Sequence, residues 1–174
     1  MTSRIGLTVP GMRTEVLTID ATVERLLPSH CSTPDGLKPV ADLTESQARQ
    51  SYHIYIPLVF SRMQVLVDHR EEPTDAFVVA TGRLTNGGFT SEGSRLLTPG
   101  LRYLLVFIPG LNALAKGYTQ QWLIVYEAYR IDDQAMVFLK EQTVEQGVVS
   151  QQEEKVPLSK LIRYLSSDPQ EPWP

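Results

Sequence analysis

From Thr14 onward the chain alternates. Leu17, Ile19, Ala21 and Val23 face one way, and Thr18, Asp20, Thr22 and Glu24 the other. Period two sustained over this length marks a half-buried strand, which Pro28 ends. Residues 52–67 form the longest β-like run. Beyond Pro57, Ser61, Met63, Val65 and Val67 alternate with Arg62, Gln64 and Leu66. Pro57 has no backbone donor and so marks an edge, a bulge or a strand start. Residues 69–75 read as a charged turn, so residues 63–67 and 77–81 are expected to pair as a hairpin. Residues 101–108 are almost wholly apolar, as a strand buried on both faces would be; Thr98-Pro99-Gly100 launches it and Pro109-Gly110 stops it. Residues 122–130 predict another strand, joined through Asp132-Asp133 to a partner over 135–139. Residues 143–149 add a short one. After Pro157, the spacing of Leu158, Leu161, Ile162 and Leu165 predicts an amphipathic helix, which Ser166-Ser167-Asp168-Pro169 ends.

Between these elements lie polar connections. Residues 28–51, punctuated by Pro28, Pro34, Gly36 and Pro39, read as a long insert loop. Within it, Thr44-Glu45-Ser46-Gln47 has capping-box spacing and predicts one short helix over 45–51. The glycine-broken residues 82–93 read as a mobile connection, residues 109–118 as a further loop, and residues 1–12 and 168–174 as extended tails. No internal repeat is visible. The expected architecture is a single mainly β domain: a closed or nearly closed five- to six-stranded barrel, with the C-terminal helix covering one opening.

Composition narrows the function classes. At 174 residues, 42% of them hydrophobic, the chain can bury a real core. Its net charge is −4 and it shows no basic cluster. That argues against nucleic acid and against an anionic membrane surface as partner. No apolar run reaches the ~18–20 residues that span a bilayer, so no membrane insertion is expected. The first seven residues lack the apolar core of a secretory leader. Cys31 is the only cysteine. No disulfide can form within the chain, nor a Cys-based zinc site, so the fold must stand on packing.

Several clusters invite chemistry. His30-Cys31 suggests a thiol nucleophile, but it needs an imidazole reaching the sulfur across space, which neighbours in an extended chain do not supply. Asp68-His69-Arg70-Glu71-Glu72 could offer metal ligands together with His53; a solvated turn explains it as well. Asp132-Asp133 reads as a hairpin tip. The stretch from Gly82 through Asn86-Gly87-Gly88-Phe89 lacks the Gly-Lys-Ser/Thr ending of a phosphate loop. Tyr52, Tyr55, Tyr103, Trp122, Tyr126 and Tyr129 all fall on expected strands. Without a basic groove they are assigned to packing or to a protein-contact patch. No catalytic, cofactor-binding or metal-binding residue is assigned, and no cofactor is expected.

The order of features resembles one group of barrels. Thr22-Val23-Glu24-Arg25-Leu26-Leu27 closes a first strand, and Ser61-Arg62-Met63-Gln64-Val65-Leu66-Val67 forms a long second one. A glycine-rich return follows near Gly82 and Gly87-Gly88. Then come Leu97-Thr98-Pro99-Gly100-Leu101-Arg102-Tyr103-Leu104-Leu105-Val106-Phe107, the strand Met136-Val137-Phe138-Leu139, and the helix opening at Val156-Pro157-Leu158. This pattern resembles the netrin-like, OB-type barrels of uncharacterised bacterial extracytoplasmic proteins, which share a fold with the inhibitory domain of the tissue inhibitors of metalloproteinases. The resemblance implies an OB-like barrel and an extracytoplasmic location. It implies no protease inhibition, because those inhibitors use a disulfide-locked N-terminal cysteine where this chain has Met1 and a solitary Cys31.

Three functions follow as expectations. The first is a non-enzymatic module binding another protein through the 28–51, 82–96 and 109–118 loops. The second is a small-ligand barrel with an internal cavity. The third is a thiol enzyme using Cys31 with His30, His53 or His69.

Overall fold

The computed structural model describes residues 2–5, 7–33, 36–50, 52–71, 74, 76–85, 88–91, 97–110 and 122–174. In chain order the elements are β1 (Thr2–Ile5), α1 (Val9–Met12), β2 (Leu17–Leu26), β3 (His30–Thr33), β4 (Gly36–Pro39), a 3-10 turn (Val40–Asp42) and α2 (Glu45–Ala48). There follow β5 (Tyr52–Asp68), β6 (Phe77–Thr85), β7 (Gly88–Ser91), β8 (Arg102–Pro109), β9 (Leu123–Ile131), β10 (Met136–Glu145), β11 (Val148–Pro157) and α3 (Leu158–Leu165). The expected loop over 109–118 falls almost wholly on residues outside those described.

Five strands close a barrel in the order β2–β5–β6–β9–β8 and back to β2. Every junction is antiparallel except β6 with β9, where Phe77 lies beside Leu123 and Val78 beside Ile124 in parallel. Leu17, Ile19, Ala21 and Val23 point inward, as their alternation predicts, and meet Tyr103, Leu105, Phe107, Phe77, Val79 and Val125. Phe77 links Phe107 and Phe60 through tilted ring contacts at 5.1 and 5.5 Å.

β8 is buried on both faces, as its apolar run requires. Tyr103, Leu105 and Phe107 enter the barrel. Leu104 and Val106 point outward into a second core with Met12, Tyr129, Ile131, Val137, Val156, Leu158 and Leu161. The C-terminal helix therefore packs on the outer wall rather than over an opening, because β8 offers its outward apolar row there. The turn that launches β8 is locked to β2. Gly100 takes φ of 85°, its N–H donates to the Val23 carbonyl at 2.7 Å, and the Val23 N–H donates to Leu101 at 3.0 Å. A positive φ after proline is the geometry that favours glycine.

Several expectations change. The hairpin of 63–67 with 77–81 does not form: β6 pairs with Tyr52–Pro57, while Leu58–Asp68 pairs with β2. Pro57 sits where β5 passes from one neighbour to the other. Periodicity sets which face a residue occupies, not which strand it pairs with. The mobile connection of 82–93 is in its described part a hairpin, with Thr85 opposite Gly88 and Gly82 opposite Ser91. The short strand of 143–149 is instead the end of a long hairpin, β10–β11, turning at Gln146 (φ 51°) and Gly147 (φ 81°). β11 escaped notice because its residues 148–155 are exposed on both faces and carry no alternation.

Neither terminus is an extended tail. β1 pairs with β10, and α1 starts where Thr8 Oγ1 accepts the Gly11 N–H at 3.2 Å, burying Met12. At the other end, a turn at Asp168 folds the chain back onto Arg13. The Arg13 guanidinium stacks on Tyr164 at 3.6 Å. Its Nη1 donates to the Pro169 and Glu171 carbonyls, and its Nη2 to the Tyr164 carbonyl and to Ser167. Trp173 meets Tyr164 edge-on at 5.0 Å, and Lys160 Nζ lies over the Trp173 ring at 4.8 Å. Arg13→Ala should release this turn. We expect a red-shifted Trp173 emission and faster proteolysis after residue 167, with global stability lowered by about 1–2 kcal/mol. Unchanged emission would show that the tail holds without Arg13.

Candidate functional site

Two of the three loops singled out in the sequence come together. β3 joins one edge of the first half of β5, with His30 opposite Tyr55 and Cys31 opposite Ile54; β4 joins β3 beyond it. β6 joins the other edge of that half, and β7 follows. The result is a sheet β4–β3–β5–β6–β7 that overhangs the barrel at one end. The 28–51 segment is thus a folded lobe rather than a loop: a hairpin, a 3-10 turn and α2. The Thr44 capping box is realised on both sides, Gln47 N–H to Thr44 Oγ1 at 3.2 Å and Thr44 N–H to Gln47 Oε1 at 3.0 Å. The segment folds because Cys31, Tyr52 and Ile54 bury a small core of their own against Val40 and Leu43.

That core also sets the surroundings of the Cys31 thiol. Cys31 is wholly buried, and desolvation raises its pKa, which suppresses the thiolate. Its sequence neighbour His30 turns to the Pro28 carbonyl, 2.6 Å from Nδ1. His53 packs obliquely on Tyr55 at 6.3 Å, and His69 Nε2 lies 2.7 Å from the Arg13 carbonyl. Native protein should therefore react with an alkylating reagent at pH 8 far more slowly than unfolded protein, by more than about 100-fold. Equal rates would mean that the lobe opens freely.

In each acidic cluster one carboxylate is tied into its own turn. Asp68 forms a two-point contact with Arg70, from Nε at 2.9 Å and Nη2 at 2.8 Å, which holds its pKa down to about 2. His53 and Asp68 stand at opposite ends of β5 and cannot share an ion. Asp132 caps its own turn, accepting the Met136 and Gln134 N–H groups, which together with nearby cations lowers its pKa. Among the described residues no three His, Cys, Asp or Glu side chains converge on a metal position. Tyr52, Tyr55, Tyr103, Tyr129 and Trp122 are buried packing groups, Trp122 edge-on to Tyr55 at 4.5 Å; Tyr126 is exposed.

Among the described residues, the centre of the barrel is occupied by side chains. Leu17, Ile19, Ala21, Val23, Leu105 and Phe107 are 0% exposed there. A groove of about 830 Å³ does lie outside, between the end of β5 and the folded-back C-terminal turn. Of its charged groups, Arg13 is engaged with the tail and Asp68 with Arg70. No helix among the described residues is long and apolar enough to cross a membrane.

One charged group escaped sequence reasoning. Asp20 is fully buried on the outer wall of β2 and receives Arg102 Nε at 2.7 Å and Nη2 at 2.6 Å, with Arg62 at 3.8 Å. Alternation alone reads Asp20 as facing solvent. The available signal was β8: a strand apolar on both faces implies a covered outer wall, and β2 runs beside it. Comparison with family models, with curated proteins and with solved structures finds no match to this chain.

Proposed function

We propose that this protein is a non-enzymatic interaction module, an OB-type barrel that binds another protein through the lobe built from residues 28–51 and 82–91. One observation carries the reading: the two longest polar segments, far apart in sequence, assemble into one overhanging sheet instead of trailing as separate loops. The barrel strands in chain order, β2, β5, β6, β8 and β9, close as first–second–third–fifth–fourth with the third and fifth parallel, which supports the OB-type assignment. In such barrels the second and third strands and the connection between the first and second form the usual binding face, and the lobe occupies that position. A buried thiol with a raised pKa and the side chains packed at the barrel's centre leave less support for thiol catalysis or for an enclosed ligand.

The test is a photo-crosslinker at position 38 of β4, with products identified by mass spectrometry. A single protein should be captured, and Lys38→Glu with Arg49→Glu should reduce its capture by more than ~10-fold while the circular dichroism stays unchanged. Undiminished capture in the double variant would remove the lobe as the binding face.

A further inference from the structure

We infer that β11 is a self-complementary interface strand, through which two copies of this chain pair antiparallel about a two-fold axis at Gln152. Among the described residues β11 pairs with β10 alone, in a register that runs unbroken from Met136 opposite Pro157 to Glu145 opposite Val148. Its outer edge is therefore long and straight, with no bulge, and no proline before Pro157. Natural edge strands are usually blunted by such devices. Residues 148–155 are all exposed, and Val148 and Val149, at 67% and 62%, are the most exposed large apolar side chains described. β10 is flanked by β1 on its other edge over Gln142–Glu145, so the outer edge of β11 is the side of this sheet left open among the described residues.

The turn fixes which edge groups are available. Glu145 and Val148 flank the two-residue turn Gln146-Gly147, so they exchange both ladder bonds. Every second residue from Val148 then directs its N–H and C=O toward β10, and Val149, Gln151, Glu153 and Lys155 direct theirs outward. Antiparallel pairing of two such edges must set outward residues against outward residues. An axis at Gln152 does this for all four. Val149 lies opposite Lys155 of the second copy, and Gln151 opposite Glu153, for about eight new backbone bonds. Val148 falls beside the second copy's Val156, and no like charges face each other. An axis at Glu153 would oppose two carboxylates, and one at Gln151 would place Lys155 opposite Gly147, beyond the strand. The alternation of Glu153 and Glu154 with Lys155 and glutamines suits another copy of the same edge better than a polyanion or an anionic bilayer.

Sedimentation of the full chain over a concentration series should show a monomer–dimer equilibrium. Gln151→Pro removes an outward N–H without touching the β10 ladder. It should raise the dimer dissociation constant by more than ~10-fold, with the thermal midpoint of dilute protein unchanged. Gln152→Cys places the axis residue in the close, non-hydrogen-bonded pair and should give a covalent dimer on mild oxidation. A monomer throughout the series, a dimer indifferent to Gln151→Pro, or larger open-ended oligomers would each overturn the proposal. Failure of a covalent dimer to form with Gln152→Cys would overturn the register. The lobe's partner capture is a separate readout and does not depend on this strand.

Discussion

Asp20→Ala should lower the unfolding free energy by about 3–5 kcal/mol, read as a fall in the urea midpoint at constant slope. Asp20 is a fully buried carboxylate on β2, and the Arg102 guanidinium meets it in a two-point contact across the β2–β8 pair. Removing the carboxylate leaves the Arg102 guanidinium without its counter-charge and with a second cation, Arg62, facing the same vacated position. Some of that penalty is relieved because the Arg102 side chain keeps 24% of its exposure, which sets the expected value at the lower end of the range. The same bond holds the Arg102 proton more firmly, raising its already high pKa, so the guanidinium cannot escape by neutralising. The diagnostic comparison is Asp20→Leu with Arg102→Met. If the single losses are mainly stranded charge, the double variant should recover most of the stability. A double variant as unstable as either single would mean that the pair contributes through its attraction, and one as unstable as their sum would mean that the two side chains act independently.

Phe107→Ala should cost about 3–5 kcal/mol and Leu104→Ala about 2–5 kcal/mol, although the two residues lie on opposite faces of one strand. Phe107 is 0% exposed at the centre of the barrel, in contact with Phe77 at 5.1 Å. Leu104 is 0% exposed in the outer core beneath α3. Each truncation leaves a cavity that close-packed neighbours fill only in part. In an ordinary barrel whose outer wall meets solvent, the outward substitution would move stability by less than about 0.5 kcal/mol. The contrast therefore tests whether α3 and the β10–β11 hairpin are a fixed second layer. A neutral Leu104→Ala in chemical denaturation would show that the layer detaches before the barrel unfolds.

What the chain's pattern determined by itself is local. The alternation of Leu17 to Val23 determined the inward face of β2, and the apolar run from Leu101 determined a strand covered on both sides. The Pro99-Gly100 pair determined the turn, the Thr44 box a short helix, and the spacing after Pro157 the amphipathic α3. Each of these is written in residues a few positions apart, where backbone sterics and side-chain period act directly. Only the tertiary structure decided the pairings. It matched β6 to the first half of β5, brought the 28–51 and 82–91 segments into one lobe, and folded the C-terminal turn under Arg13. It also covered Asp20. Partners in a sheet are chosen by loop closure and by what remains to be buried, quantities that depend on the whole chain. β11 marks the limit of the pattern: exposed on both faces, it has no hydrophobic period to read, and only its partner β10 and the turn at Gln146-Gly147 make it a strand.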